Sequence, residues 1–183
     1  MPENINIKTD ILYMIRKIRY CLITPGCTPV VNENGNAFDL RVAKGAKLNA
    51  PIVQEDGTVK FDTVMLPLGI AMELPKGCKA DVKPRSSMFK KWKVLQTNSI
   101  GLIDNSYCGD TDEWKLPLIA MEKTHIDKGD RLCQFEIRPT QTATLWEKFL
   151  WLITTSYQFV EVESLGNKAR GGFGEGTKDV DKK

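Results

Sequence analysis

Cys78-Lys79-Ala80-Asp81-Val82-Lys83 alternates an apolar side chain with a charged one at every step. That period of two is the mark of a strand with one face buried and one face in water. The same alternation recurs outward from it. Ile70, Met72 and Leu74 interleave with Ala71 and Glu73, and Cys133, Phe135 and Ile137 with Gln134 and Glu136. Trp114, Leu116 and Leu118 extend the pattern, with Pro117 predicting an edge strand or a bulge. Turn signals separate these runs at Asn34-Gly35, Asp56-Gly57, Pro75-Lys76-Gly77 and Lys128-Gly129-Asp130. Many short strands at this spacing predict an all-β fold of sandwich, barrel or jelly-roll type.

One helix interrupts the strands. Thr144-Leu145-Trp146-Glu147 forms a capping-box pattern, and Leu145, Phe149 and Leu152 follow on one face. That stripe reads as core or subunit contact. A strand is expected over Phe159-Val160-Glu161-Val162, and another in the second half of the stretch from Ile11 to Ile23. From Gly166 the chain turns Gly- and Lys-rich and reads as a flexible arm. The division is therefore a β domain over 1–165, with a helical insertion at about 144–154, and an arm over 166–183 carrying one further motif.

Composition narrows the chemistry. The 183 residues carry 26 Lys and Arg against 23 Asp and Glu, a net charge of +3. That balance gives no argument for nucleic-acid or membrane binding. No apolar run approaches the ~18 residues of a membrane span. His125 is the only histidine, so most zinc sites and any His-pair relay are excluded. Proton transfer must fall to a carboxylate, a metal ion or bound water. Five cysteines, Cys21, Cys27, Cys78, Cys108 and Cys133, are odd in number and widely spaced. Reduced thiols in a cytoplasmic protein are the expectation.

Four polar patches carry candidate chemistry. Pro84-Arg85-Ser86-Ser87 offers a planar cation and two hydroxyls directly after a strand; the set suits phosphate oxygens, but taken alone it reads more readily as a surface turn with a solvated Arg. Asn98 through Asp110 forms a Gly-flanked turn holding Asp104 and Tyr107, and a hairpin there exposes backbone groups able to read a base edge. Asn36-Ala37-Phe38-Asp39-Leu40 is the third patch. Arg170-Gly171-Gly172-Phe173-Gly174 is the fourth. Its spacing is not a P-loop, because Thr177-Lys178 reverses the required order and neither strand nor helix flanks it.

In this order the patches resemble the motifs of the trimeric dUTP diphosphatase (dUTPase) family, in a form similar to those of some bacteria and their phages. Ala37-Phe38-Asp39-Leu40 resembles the first motif and Pro84-Arg85-Ser86-Ser87 the second. Asn98 through Gly109 resembles the third, Gly129-Asp130-Arg131-Leu132-Cys133-Gln134 the fourth, and Arg170-Gly171-Gly172-Phe173-Gly174 the fifth. The resemblance implies a jelly-roll homotrimer, with sites at subunit interfaces and the C-terminal arm closing over a neighbour's site. It implies dUTP as substrate, cleaved to dUMP and pyrophosphate, with Mg²⁺ on the triphosphate. Asp104 would orient and deprotonate the attacking water, and Asp39 would hold Mg²⁺ through its water shell. Arg85, Ser86, Ser87, Gln134 and Arg170 would bind phosphate. Asn98 with the backbone of Gly101 and Ile103 would read uracil. Tyr107 would pack under the deoxyribose, and Phe173 with Gly174 would close over the base. Lys168 is the other candidate for the fifth-motif cation. Glu175-Gly176 stand where the family has a hydroxyl pair. The alternatives are a dCTP deaminase, with Glu113 as its glutamate, and a regulatory protein presenting Trp146 and Trp151 to a protein partner.

Overall fold

The computed structural model describes residues 14–32 and 35–172. The first eight elements are β1 (Met14–Leu22), β2 (Val30–Val31), β3 (Phe38–Leu40), β4 (Ala46–Leu48), β5 (Ile52–Val53), β6 (Val59–Lys60), β7 (Thr63–Pro67) and β8 (Ile70–Glu73). Then come β9 (Cys78–Pro84), α1 (Met88–Trp92), β10 (Val94–Gln96), β11 (Gly101–Asp104) and β12 (Lys115–Ala120). The remainder is β13 (Thr124–Ile126), β14 (Cys133–Pro139), α2 (Leu145–Leu152) and β15 (Thr154–Glu161). Among the described residues no helix is long and apolar enough to cross a membrane.

The strands sort into three main sheets. A five-stranded sheet runs β11-β9-β14-β3-β2, and two three-stranded sheets run β15-β1-β8 and β10-β12-β7. Only the β1–β15 pair is parallel among these pairings, and it ties the first described strand to the last. The alternation around Cys78 holds in β9, whose Cys78, Ala80 and Val82 are buried. Asp81 is buried as well, and Lys79 answers its charge at 2.8 Å. Phe135 sits at the centre of the core, fully buried, with Trp114 at 5.2 Å edge-on and Phe38 at 5.3 Å. Such tilted contacts set the negative ring face against the positive ring edge.

Two expectations change, and a third becomes more specific. First, Pro117 lies in a central strand, not at an edge, because β12 pairs with both β7 and β10. Its carbonyl accepts from Thr97 N, on the β10 side, just past the last β10 pair of Gln96 with Leu118. The missing N–H points to the same side, so the reciprocal bond to Thr97 O cannot form, and the β10–β12 ladder stops at this pair. Second, α1 is a helix beyond the one expected; it buries Met88 and Trp92. Third, the apolar stripe of α2 faces outward. Leu145, Trp146, Phe149 and Leu152 are all exposed, and Trp151 on the flank is the residue that packs inward, its indole N–H donating to Ile137 O at 2.9 Å. The capping box itself is present, with Glu147 N donating to Thr144 Oγ1 and Thr144 N to the Glu147 carboxylate.

Candidate active site

Two clusters of expected site residues lie at opposite ends of β9. The first is built on β11, the edge strand of the five-stranded sheet. An edge strand pairs on one side only and leaves a row of N–H and C=O groups open on the other. Here that open row belongs to Gly101 through Asp104. Beside it is a cavity of about 280 Å³ lined by Asn98, Leu102, Ile103, Asp104, Tyr107, Arg170, Gly171 and Gly172. The structure thus brings together Asn98, Ile103, Asp104, Tyr107 and Arg170. A larger cavity of about 740 Å³ lies under α2, between Phe38, Trp151 and Tyr157, and holds none of the expected site residues.

Each wall of the small cavity has a local cause. Tyr107 is nearly buried and its hydroxyl donates to Glu113 O at 2.9 Å, which fixes the ring as a wall. Gly172 approaches that ring so closely that an added Cβ would lie 3.0 Å from Tyr107 Cε2. Arg170 Nη1 reaches Asp104 Oδ2 at 2.8 Å and Ser106 Oγ at 3.0 Å. Arg170, not Lys168, is the cation on the cavity.

The segment 164–172 is held on the hairpin of its own chain by two carboxylates. Asp112, 1% exposed, accepts from the backbone N–H of Gly109, Arg170 and Gly171 at 2.9–3.1 Å. Burial pushes its pKa up, and these N–H groups together with the Arg170 charge outweigh burial and leave it lowered. Asp110 accepts from Ser164 Oγ at 2.7 Å and Leu165 N at 2.6 Å, and these two bonds hold its pKa down. Gly109 makes the fit possible: an added Cβ there would stand 2.4 Å from Ala169 Cα. The described part of the arm, up to Gly172, therefore lies on the hairpin of its own chain. Phe173 and Gly174 lie outside the described residues.

The second cluster gathers Asp39, Arg85, Arg131 and Gln134. Asp39 is 0% exposed, with Arg85 Nε 3.2 Å from its Oδ1 and Arg131 Nη1 3.2 Å from its Oδ2. Gln134 is directly across the ladder from Asp39 on one side and Lys83 on the other. Ser86 and Ser87 are exposed at the head of α1, and Ser87 makes no side-chain capping bond. This geometry speaks against the role expected for Asp39. A carboxylate sealed between two guanidinium groups has no surface in this chain for a hydrated Mg²⁺. Among the described residues no group of three or more His, Cys, Asp or Glu gathers as a metal cage. Arg131 was in the fourth motif but unassigned. Its signal was a second arginine beside a phosphate-binding pattern that already had one.

β9 measures the gap between the clusters. Asp104 pairs with Lys79 and Gly101 with Val82, whereas Cys133 pairs with Pro84. Six residues of extended chain from Lys79 to Arg85 span about 20 Å.

Comparisons with known proteins bear on this arrangement. The dUTPase family profile matches residues 36–149. The chain is 45% identical over 148 residues to the SPbeta prophage-derived deoxyuridine 5'-triphosphate nucleotidohydrolase YosS of Bacillus subtilis, covering 80% of this chain and 87% of the relative. It is 36% identical over 118 residues to a deoxyuridine 5'-triphosphate nucleotidohydrolase of Hydrogenobaculum, covering 62% and 70%. Among solved structures, the Streptococcus mutans dUTPase superposes with a TM-score of 0.57 at 21% identity, covering 68% of this chain and 98% of that one. The Staphylococcus bacteriophage 80alpha dUTPase superposes at 0.56 and 16% identity, covering 70% and 93%. These likenesses show the all-β jelly-roll fold expected from the motifs.

Proposed function

This chain belongs to the dUTPase family, and from that premise we propose how its residues divide the hydrolysis of dUTP to dUMP and pyrophosphate. The enzyme is a dUTP diphosphatase. Deamination of dCTP is not favoured, since the matching family and the named relatives are dUTP hydrolases and Glu113 is not among the residues lining the cavity. The observation that carries the site reading is the cavity joining Asp104, Tyr107, Asn98 and Arg170 beside an open strand edge.

Uracil lies against that edge, where Gly101 and Ile103 offer backbone donors and acceptors and Asn98 offers its amide. Tyr107 packs under the deoxyribose and leaves no room for a 2′-hydroxyl. Asp104 orients a water and takes its proton as the water oxygen attacks the α-phosphorus; the bond to the bridging oxygen breaks and pyrophosphate leaves. A carboxylate is a weak base for water, so positioning and charge neutralisation supply most of the acceleration. Arg170 is the nearest neutralising group. It rests on Asp104 at 2.8 Å, and a triphosphate competes for it, which frees the carboxylate to accept a proton.

Arg85, Ser86, Ser87 and Gln134 bind phosphate oxygens, and Asp39 with Arg131 positions Arg85. These groups serve a nucleotide held by another copy. A base at the level of Gly101 and a reacting phosphorus at Asp104 run along β9 away from Arg85, not toward it. The site is therefore incomplete in one chain, which supports the homotrimer implied by the motifs. Phe173 and Gly174 are proposed, from the motif alone, to close over the base. Mg²⁺ arrives as part of the substrate, carried on the phosphates and drawing charge from them, since the ion keeps most of its waters and needs no protein cage. Five free cysteines, four of them buried, support a reducing cytoplasmic setting.

The test is pyrophosphate release from dUTP, dTTP, dCTP and UTP by the wild type and Asp104→Asn. Release from dUTP alone is expected. Asp104→Asn should slow turnover about 10²–10⁴-fold while binding a non-hydrolysable dUTP analogue within a few-fold of wild type. Unchanged turnover would remove Asp104 from the mechanism.

A further inference from the structure

We infer that Gln96 is a specificity-positioning residue: its carboxamide locks Asn98 so that an N–H donor faces the base cavity, and this selects uracil over cytosine. The inference rests on the proposed reading of that cavity as the base site.

The argument is one of hydrogen-bond logic. Gln96 is 9% exposed and lies against the β9 backbone. Its nearest backbone partner is Val82 O at 3.1 Å. A carbonyl only accepts, so Gln96 must turn its Nε2 toward Val82 rather than its Oε1. The same nitrogen lies 2.8 Å from Asn98 Oδ1. An amide NH₂ has two protons, and both are now placed, one on Val82 O and one on Asn98 Oδ1. Asn98 therefore has its oxygen engaged, and its Nδ2, a donor, has no partner among the described residues. Oxygen and nitrogen of a side-chain amide are assigned from such networks, and this one is anchored at a group that cannot be flipped. Gly101 leaves the space for both amides: a Cβ there would sit 3.4 Å from Asn98 Nδ2 and 3.5 Å from Gln96 Nε2. Gln96 Oε1 is buried with no hydrogen-bond partner among the described residues. The amide is thus held through its donor end alone.

Asn98 lines the cavity. Uracil carries a carbonyl at C4, and cytosine an amine. A free Nδ2 complements the carbonyl and confronts the amine with a second donor. An unrestrained asparagine would not discriminate, because rotation about its last torsion offers oxygen to one base and nitrogen to the other. Gln96 removes that choice, so that cytosine leaves polar groups unpaired on both sides.

Two substitutions test this, with kcat/KM for dUTP and dCTP as the readout and the thermal midpoint as the fold check. Gln96→Met keeps length and loses both donors; the dUTP:dCTP ratio should fall about tenfold or more. Gln96→Glu offers Asn98 an acceptor and turns the amide over; the ratio should fall below that of Gln96→Met. A ratio within twofold of wild type in either folded variant overturns the inference. Asn98→Ala separates the levels. If it collapses the ratio while both Gln96 variants do not, the relay fails and the base-site reading stands. If it leaves the ratio unchanged, the base-site reading fails and the relay with it. Should neither Gln96 variant fold, the side-chain amide signals of Asn98 in the wild type decide. Titration with dUMP should shift that pair, and an unmoved pair overturns the inference.

Discussion

Asp39 is where a single residue most changes meaning between sequence and structure. In the sequence it is a carboxylate inside a nucleotide-binding motif, and a metal role follows naturally. In the fold, Arg85 and Arg131, 46 and 92 residues away, close on it from both sides and leave it no exposed surface. No local pattern announces a contact of that range, whereas Asp104, Tyr107 and Asn98 sit within ten residues of one another and were legible as one site. Gln96, two residues from Asn98, carries no signal in the sequence, because a glutamine at a strand end says nothing until its backbone partner is known. The clamp reading makes a measurable claim. Asp39→Asn leaves two partly exposed guanidinium groups without their counter-charge, and losing their hydrogen bonds to a charged partner costs about 1–3 kcal/mol. The unfolding midpoint should drop by several degrees and KM for dUTP should rise. The Mg²⁺ concentration giving half-maximal rate should stay where it is in wild type. A large rise in that concentration would restore the metal role.

Among elements, the hairpin after β11 and the segment 164–172 act as one unit. The glycines and lysines of the arm predict flexibility, and its first residues, up to Gly171, meet two carboxylates. Asp110 and Asp112 look like ordinary turn residues in sequence. Yet together they accept five backbone or hydroxyl hydrogens, counting one each from Gly109, Ser164, Leu165, Arg170 and Gly171. For the apolar stripe of α2, read as core or subunit contact, the fold removes the first of the two readings. Periodicity reports that a helix has an apolar face but not which side the rest of the chain will take, and Trp151 on the flank took the core. The clasp predicts that Asp112→Ala frees the arm. Trypsin should cut after Lys168 and Arg170 faster in the variant than in wild type, with the β core left intact, and kcat/KM should fall because Arg170 loses its placement. Equal cleavage rates would show that the clasp does not hold the arm. Acid should do the same in wild type. Asp112 has its pKa lowered from 3.8, so its contribution is complete above pH 3.8 and is lost as pH falls below that, through the folded value. Arm release is expected in that acid window and not at pH 5.

At the scale of the whole molecule, β9 turns a question about residues into one about copies. The period of two around Cys78 made this strand legible, and with it the sheet, but no pattern in one chain could say that its two ends serve different nucleotides. The proposed division between copies rests on spacing: Asp104 is at one end of β9 and Arg85 about 20 Å away at the other, so a nucleotide seated on the hairpin as proposed would point its phosphates away from Arg85. If each site takes Asp104 from one copy and Arg85 from another, two dead enzymes should make a live one. Asp104→Asn and Arg85→Ala are each expected to be inactive alone. Unfolded together at equal amounts and refolded, they should regain roughly a quarter of wild-type activity, since random pairing places an intact Asp104 opposite an intact Arg85 in about one interface of four. Mixing without unfolding should restore nothing if the copies do not exchange. A site contained within one chain would give no recovery in either case, because every chain in the mixture carries one defect; the recovered fraction therefore reads the architecture of the site directly from its turnover.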